Sequence, residues 1–446
     1  MRNILSRCVL PLAAVALAIL SCPAPSNAQK AGSATPEQLP SDFLKTKPIK
    51  SGSNAAGKLK RNATGTATTN GLAAVSVPPI DTLAYWTGEF TAPGYDSNGN
   101  PQSVWPYQMV GAAPETGGTT TINAPIIPVT VRLLDADGSV AVRNGVRLIL
   151  NASSNIVNAV VQSPEFQSAK YTSGSGQLND QMMRAQFSDR LSSDDDSSWH
   201  TLLSPRVKRG RVMNVPYGNW AYALNADGSC CAFALVEQSV FSNLLFPPTY
   251  PVDNSTVIGA AELAGDMTTH DLTTLLFNNV YLYDTTVANC CVLGFHNADV
   301  EPGIASNGNR PRFYVMDYAS WMSNGLFSFG FQDITAFSHE LAETFNDPFA
   351  DNATPWWLSV DPVFGTGQCQ NILETGDVVE VLNSADPVFS ISMNGRTYHP
   401  QNEAMLPWFA FESPSTAHLG AYSFPDETTL TTLSPGPLLP GCMPVP

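Results

Sequence analysis

One stretch, DITAFSHELAETFNDP at residues 333–348, constrains the fold more than any other part of the chain. Asp333 is expected to be the N-cap of a helix, because its carboxylate can accept an N–H of the first turn. Pro348 is expected to end the helix and to keep Asp347 out of the helical conformation. Apolar side chains recur between these residues at helical spacing, which predicts one buried stripe formed by Ile334, Phe337, Leu341 and Phe345.

The opposite face of this helix carries groups that can bind a metal ion. At about 100° per residue, His339 and Glu343 lie one turn apart on the same face. An imidazole and a carboxylate are both good zinc ligands. Glu340 occupies the general-base position of the HExxH metalloprotease motif. The motif here is HExxE, because the second ligand is a carboxylate instead of an imidazole.

Two observations favour a cation over the alternative, an exposed polar face without metal. This face carries no Lys or Arg, so its acidic side chains would lie together without compensation. The later segment ETGDVVE supplies a second acidic pair, about thirty residues away, which is a common separation for a ligand from another element. The predicted site therefore has three ligands, His339, Glu343 and Glu374, the base Glu340, and two supporting or alternative ligands, Asp347 and Asp377.

Composition excludes some classes of partner. The chain has 446 residues, enough for one large or two ordinary domains. Only 13% of the residues are charged, and the formal net charge is −16. This acidic balance argues against binding to nucleic acid or to an anionic membrane surface, and it is compatible with cation binding.

The N-terminus has the pattern of an export signal. Arg2 and Arg7 precede an apolar run that is too short to span a bilayer, and Ala28 ends a cleavage pattern of small residues. We therefore predict a signal peptide at 1–28 and a secreted or periplasmic protein. An alternative is a lipoprotein, because ILSC resembles a lipobox that would leave a lipid anchor at Cys22. No later segment is apolar enough for a transmembrane helix.

Six cysteines remain after Cys8 and Cys22 are set aside, and four of them form two adjacent pairs. An even number in an exported chain predicts structural disulfides, whose connectivity the sequence leaves open. A soft metal site is the alternative for the adjacent pairs, but no His or further Cys lies at zinc-finger spacing. The six are Cys230, Cys231, Cys290, Cys291, Cys369 and Cys442.

The remaining pattern predicts an α+β fold with long loops. Residues 29–76 are rich in small and polar residues, and we expect a disordered linker there. A single domain is predicted for 77–435, followed by a Pro-rich tail at 436–446. We expect strands around YWTGEF, PIIPVTVRL and RFYVM, a helix in QLNDQMMRAQF, and at most a short helix in HDLTTLLFNNV.

The order of segments from about Cys290 to Leu382 resembles the Exordium-like, or phosphate-induced, family of secreted proteins and related bacterial secreted proteins. The segments are GFHN, RFYVMDYAS, SHELAETFNDP, PWW and LETGD. The resemblance implies a zincin-like helix and places His296 at the GFH position, as a possible supporting ligand. Two departures are the absence of a Cys directly after Asp377 and Asn346 in place of the usual Thr.

Two functions follow as expectations. The first is a zinc-dependent hydrolase that acts on peptides, with Glu340 as the base. The second is a non-catalytic extracellular protein that binds a peptide, the cell wall or the matrix and uses a metal such as Ca²⁺ as a structural element. Tryptophans could stack on sugar rings in that case, although core packing is the alternative explanation for Trp356, Trp357 and Trp408.

Overall fold

Strands make up most of the regular structure. The computed structural model describes residues 36–47, 80–191, 198–328, 330–359, 368–381, 387–431 and 433. The strands in these ranges are β1 (Glu37–Gln38), β2 (Tyr85–Tyr95), β3 (Pro101–Val110), β4 (Thr119–Leu133), β5 (Val142–Arg143), β6 (Val146–Arg147), β7 (Ile149–Asn151), β8 (Ala169–Tyr171), β9 (Gly174–Gly176), β10 (His200–Val207), β11 (Arg211–Val215), β12 (Trp220–Leu224), β13 (Cys230–Glu237), β14 (Leu272–Asn278), β15 (Val280–Tyr283), β16 (Cys290–Val292), β17 (Gly294–Glu301), β18 (Arg312–Trp321), β19 (Ala353–Ser359), β20 (Gln368–Ile372), β21 (Ile391–Met393), β22 (Arg396–Tyr398), β23 (Glu403–Ala404) and β24 (Ser423–Phe424).

The helices are short, and they are distributed along the chain between the strands. They are α1 (Ser154–Val161), α2 (Leu178–Gln186), α3 (Gln238–Leu245), α4 (Val257–Leu263), α5 (Thr335–Asn346), α6 (Asp377–Val381) and α7 (Leu406–Phe409). Together with the strands they confirm the α+β class. Among the described residues, no helix is long and apolar enough to cross a membrane.

The largest sheet supports the central helix α5. Its main path runs β10, β4, β14, β18 and β17, and β7 and β11 also pair with β4. The strands along the main path are parallel, except that β17 is antiparallel to β18. In the described part of the chain β17 therefore forms an edge of this sheet.

The apolar stripe of α5 packs on this sheet, as predicted. All four stripe residues are buried in one core cluster with Leu272 and Leu276 of β14 and Val315 and Ala319 of β18. The helix also ends where Pro348 predicts, because Asp347 is its C-cap with non-helical φ and ψ angles. The opposite face of α5 is buried as well, so the predicted polar face lies inside the protein.

The predicted N-cap is wrong in detail. The side chain of Asp333 accepts the N–H of Ile334 at 2.6 Å, which lies before the first helical residue. It also accepts the backbone N–H of His399 at 2.9 Å and contacts Nδ1 of that imidazole at 2.6 Å. Asp333 therefore connects the start of α5 to a distant segment, a contact that local sequence cannot predict.

A second sheet corrects the predicted linker. Its order is β1, β12, β13, β15 and β16. β1 pairs with β12, and Leu39 and Leu44 are buried next to it. The prediction of disorder is therefore wrong for residues 36–47. The signal peptide, residues 29–35 and 48–76 of the linker and the tail at 436–446 lie outside the described residues.

Other local predictions have mixed outcomes. The strands predicted around YWTGEF, PIIPVTVRL and RFYVM are confirmed as β2, β4 and β18, and the helix in QLNDQMMRAQF is confirmed as α2. The short helix expected in HDLTTLLFNNV is wrong, because this segment forms β14 in the middle of the large sheet. Two disulfides join adjacent residues, Cys230–Cys231 and Cys290–Cys291.

Candidate metal centre

Helix α5 brings three of the predicted residues together. Nε2 of His339 lies 3.2 Å from Oε2 of Glu343, as expected for residues one turn apart. Donor atoms of His339, Glu340 and Glu343 all lie within 4.8 Å of one another. All three residues are at least nine-tenths buried. The helix therefore presents an imidazole and two carboxylates inside the protein.

Strand β17 supplies a second imidazole to the same place. Nδ1 of His296 lies 3.3 Å from Oε2 of Glu343 and 3.8 Å from Oε2 of Glu340. Side chains alternate between the two faces of a strand. His296 therefore faces α5 together with Gly294, whereas Phe295 packs into the core cluster on the other face.

The segment ETGD closes the cluster from the other side. Donor atoms of Glu374, His296 and Glu343 lie within 4.8 Å of one another. Oδ1 of Asp377 lies 3.9 Å from Nε2 of His339. Between them, the backbone N–H of Gly376 donates to Oε1 of Glu343 at 3.1 Å. We refer to these six side chains as the acidic centre: His296, His339, Glu340, Glu343, Glu374 and Asp377.

The donor atoms of the acidic centre form two groups that do not match the predicted set of three ligands. Glu374 belongs to a group with His296, whereas Asp377 is the acid of ETGD that lies beside His339. Glu343 is common to the group with His296 and to the group with His339. His296 therefore has a more central position than the supporting one that the resemblance implies.

Asp347 lies at the end of α5 and has a different set of contacts. Its carboxylate accepts the backbone N–H groups of Asp351 and Asn352 at 2.9 and 3.0 Å. Burial and the charge of Asp351 raise the pKa of Asp347 to about 7. These contacts fix the turn that follows the helix.

Burial and the charges of the imidazoles and neighbouring acids set the pKa values of the carboxylates in the acidic centre. Burial raises the pKa of Glu340 to about 7 against the opposing effect of the charges of His339 and His296. Burial and then the charge of Glu343 raise the pKa of Glu374 well above its ordinary value. Burial alone would raise the pKa of Glu343 too, but the charges and contacts of the two imidazoles outweigh it and lower that pKa.

The pKa of His296 responds to the same carboxylates. Burial lowers its pKa, but the contacts with Glu340 and Glu343 outweigh this effect and raise the pKa well above the ordinary value. A proton on His296 thus offsets part of the buried negative charge. A divalent cation would take the place of such protons, because metal ligands bind in their deprotonated forms.

Asp317 is a neighbour of the centre that the sequence analysis missed. It lies opposite His296 in the pairing of β17 with β18 and is fully buried. Thr274 donates to its Oδ2 at 3.0 Å. Burial and the charge of Glu340 raise its pKa well above the ordinary value. The only sequence signal was an acid inside the apolar run RFYVMDYAS.

The donor set fits a divalent cation. Zinc accepts imidazole and carboxylate ligands, and harder cations prefer carboxylates. Oε2 of Glu374 is buried and accepts no hydrogen bond within the described part of the chain. A buried carboxylate oxygen without a partner is costly, and a cation would remove that cost.

Comparison of the chain with protein-family models, curated proteins and solved structures finds no match.

Proposed function

We propose that this protein is a secreted, zincin-like, metal-dependent hydrolase that cleaves peptide bonds. The main support is the position of Glu340 beside a cluster of imidazole and carboxylate donors on a rigidly packed helix. His339 and Glu343 of α5 would bind Zn²⁺ together with a carboxylate of ETGD, and the fourth position would stay open for water. The signal-like N-terminus supports export.

The proposed chemistry assigns separate roles to these residues. A bound Zn²⁺ supplies a Lewis acid and lowers the pKa of a water molecule. Glu340 accepts a proton from this water as its oxygen attacks the peptide carbonyl carbon. The C–N bond then breaks, and Glu340 passes the proton to the leaving amine. The carboxylates make the cation a weaker Lewis acid than a site richer in histidine would, so we expect slow turnover.

The edge strand β17 supports a peptide as the substrate. Edge strands have backbone N–H and C=O groups that can pair with an extended chain. Part of β17 is accessible, because Ala298 and Asp299 are partly exposed and Val300 is exposed. His296 lies on the same strand, so a peptide added along β17 would run past the acidic centre.

A structural metal site is the second candidate function. It is favoured by the burial of the acidic centre, in which each residue is at most 4% exposed. The number of carboxylates would then favour Ca²⁺. Sugar stacking receives less support, because Trp357 and Trp408 are buried and pack against Phe409.

The deciding experiment measures metal content and peptide cleavage on the same mature protein. We expect bound zinc by mass spectrometry and cleavage of a quenched fluorescent peptide library that chelator removes and zinc restores. Glu340→Gln should lower cleavage by about 100-fold or more while the protein still binds zinc. Glu89→Gln, at an exposed position of β2, is the matched control.

Two results would contradict the hydrolase. Equal cleavage by Glu340→Gln and the unchanged protein would remove Glu340 as the base. Tightly bound calcium without cleavage of any peptide would favour the structural site instead.

A further inference from the structure

We propose that the acidic centre binds two divalent cations that share Glu343 as a bridging ligand. This inference rests on the proposed function and extends it from a single-ion centre to a two-ion centre. The donor atoms form two groups, and within each group all atoms lie within 4.8 Å of one another. Glu343 belongs to both groups.

The two oxygens of Glu343 have different surroundings. Oε1 accepts the N–H of Gly376 at 3.1 Å. Oε2 lies 3.3 Å from Nδ1 of His296 and 3.2 Å from Nε2 of His339. In a tetrahedral zinc site with bonds of about 2.0–2.1 Å, neighbouring ligand atoms are about 3.3 Å apart. Oε2 therefore has a suitable ligand–ligand distance to each imidazole.

Each side of Glu343 also has its own further carboxylate. On one side, Glu374 completes a group with His296 and Glu343. On the other side, Oδ1 of Asp377 lies 3.9 Å from Nε2 of His339 and is the third donor that we assign to the second cation. An oxygen shared by two cations is found where the ions are about 3.5–4 Å apart, the spacing of two-metal hydrolases.

The negative charge of the acidic centre independently favours two cations. The acidic centre contains four carboxylates, on Glu340, Glu343, Glu374 and Asp377, and all four residues are buried. One divalent cation balances only two of them, whereas two cations balance all four. Buried charges without compensation are costly, so the second cation makes the occupied centre more favourable.

The carboxylate of Glu374 indicates a cation on the side of the centre where His296 lies. It is 1% exposed, and its Oε2 accepts no hydrogen bond within the described residues. Glu340 keeps its role as base, because its carboxylate lies within 4.8 Å of donor atoms of both His339 and Glu343. A water on the second cation would therefore lie next to it.

The test measures stoichiometry on the mature protein with Zn²⁺ and Co²⁺ as probes. We expect two equivalents of Zn²⁺ by titration calorimetry and by metal analysis after dialysis. Glu374→Gln and His296→Ala should each retain one equivalent, and Glu343→Gln should lose at least one. His270→Ala, at an exposed imidazole, should retain both. Circular dichroism checks that each variant folds, and Glu374→Gln keeps the shape of the side chain if His296→Ala does not fold.

Cobalt gives a readout that does not depend on activity. Two Co²⁺ ions that share Glu343 should couple, so the paramagnetic signal per cobalt should be weaker in the unchanged protein than in Glu374→Gln. Saturation at one equivalent, or an uncoupled signal at two equivalents, would overturn the two-cation centre and leave the proposed hydrolase standing. Binding of no cation would overturn both proposals.

Discussion

The backbone of Gly376 lies directly against the imidazole ring of His339. A Cβ atom at this position would be 2.3 Å from Nδ1 and 2.5 Å from Cε1 of the ring. Gly376→Ala should therefore displace His339 and lower the affinity for Zn²⁺ by about tenfold or more, as is typical when the support of a metal ligand is removed. Titration calorimetry with Zn²⁺ measures this change.

Gly138→Ala is the matched control for Gly376→Ala. Gly138 lies in an exposed turn with a positive φ, and a Cβ atom there would meet no other atom within 4 Å. It should cost some folding stability through its backbone conformation but leave Zn²⁺ affinity unchanged. Unchanged affinity in Gly376→Ala would mean that the ring of His339 can move without loss of the cation, and hence that His339 is not a ligand.

Gly294→Ala should have a different effect, because its neighbour in the centre is the proposed base. A Cβ atom on Gly294 would lie 2.4 Å from Oε1 of Glu340 and 2.8 Å from the carbonyl oxygen of Tyr318. Displacement of Glu340 should lower kcat for peptide cleavage by about tenfold or more, since small misplacement of a reacting group is costly. Zn²⁺ affinity should change less than in Gly376→Ala, and the opposite order would contradict the assignment of roles.

Helix α5 could be predicted from sequence because its signals are local. The apolar stripe, the HExxE spacing and the stop at Pro348 all depend on residues within four turns of one another. The acidity and spacing of Glu374 and Asp377 alone predict that they lie near His339 and Glu343. In the structure Glu374 lies near Glu343, and Asp377 lies near His339. Glu374 lies with His296 and Asp377 lies beside His339 because of the path of the loop, which no sequence pattern predicts.

Long-range contacts explain what could not be predicted. His296 lies beside Glu343 only because β17 pairs with β18 at the edge of a sheet that spans distant parts of the chain. The segment HDLTTLLFNNV forms β14 because it inserts between β4 and β18, and this pairing outweighs its local helical pattern. Likewise, Asp333 contacts the distant residue His399 and does not act as the N-cap of α5.

The two disulfides should differ in their access to reagents. Cys290 and Cys291 are fully buried, whereas Cys230 and Cys231 are partly exposed. Thiol–disulfide exchange requires access to a sulfur atom. Brief treatment of the folded protein with a reductant and iodoacetamide should therefore label the Cys230–Cys231 peptide first, as peptide mass spectrometry can measure. Equal labelling of both pairs would show that the second sheet opens under these conditions, and labelling in denaturant is the control.

Asp333 should contribute to stability through its contact with His399. Asp333 is 9% exposed, and its carboxylate contacts Nδ1 of His399 at 2.6 Å and accepts two backbone N–H groups. Asp333→Asn retains the shape but loses the charge, so unfolding in urea should show a loss of about 1–3 kcal/mol. Asp137→Asn, in an exposed turn, should change stability by less than about 0.5 kcal/mol. Equal effects of the two substitutions would mean that the contact with His399 adds nothing.

A second group of acids should make stability depend on pH. Glu262 of α4 lies near Asp299 and Glu301 of β17, and Glu301 also forms an ion pair with Arg312. Burial and then the charges of Glu301 and Asp299 raise the pKa of Glu262 from 4.5 to about 9. The folded protein therefore binds this proton more tightly than the unfolded chain does. Its contribution to stability is complete below about pH 4.5 and is lost as the pH rises towards about 9.

Glu262→Gln tests this dependence, because glutamine stays neutral at every pH. At pH 8 the substitution should raise the free energy of unfolding by about 1 kcal/mol or more, since one pKa unit corresponds to about 1.4 kcal/mol. At pH 5 the gain should be much smaller, because this pH is close to the ordinary pKa of 4.5 and little free energy is lost when the folded protein keeps Glu262 protonated. Urea unfolding at both pH values measures the difference, and Glu89→Gln, at an exposed position of β2, is the control. A gain that is the same at both pH values would show that side-chain packing, and not the charge of Glu262, causes the effect.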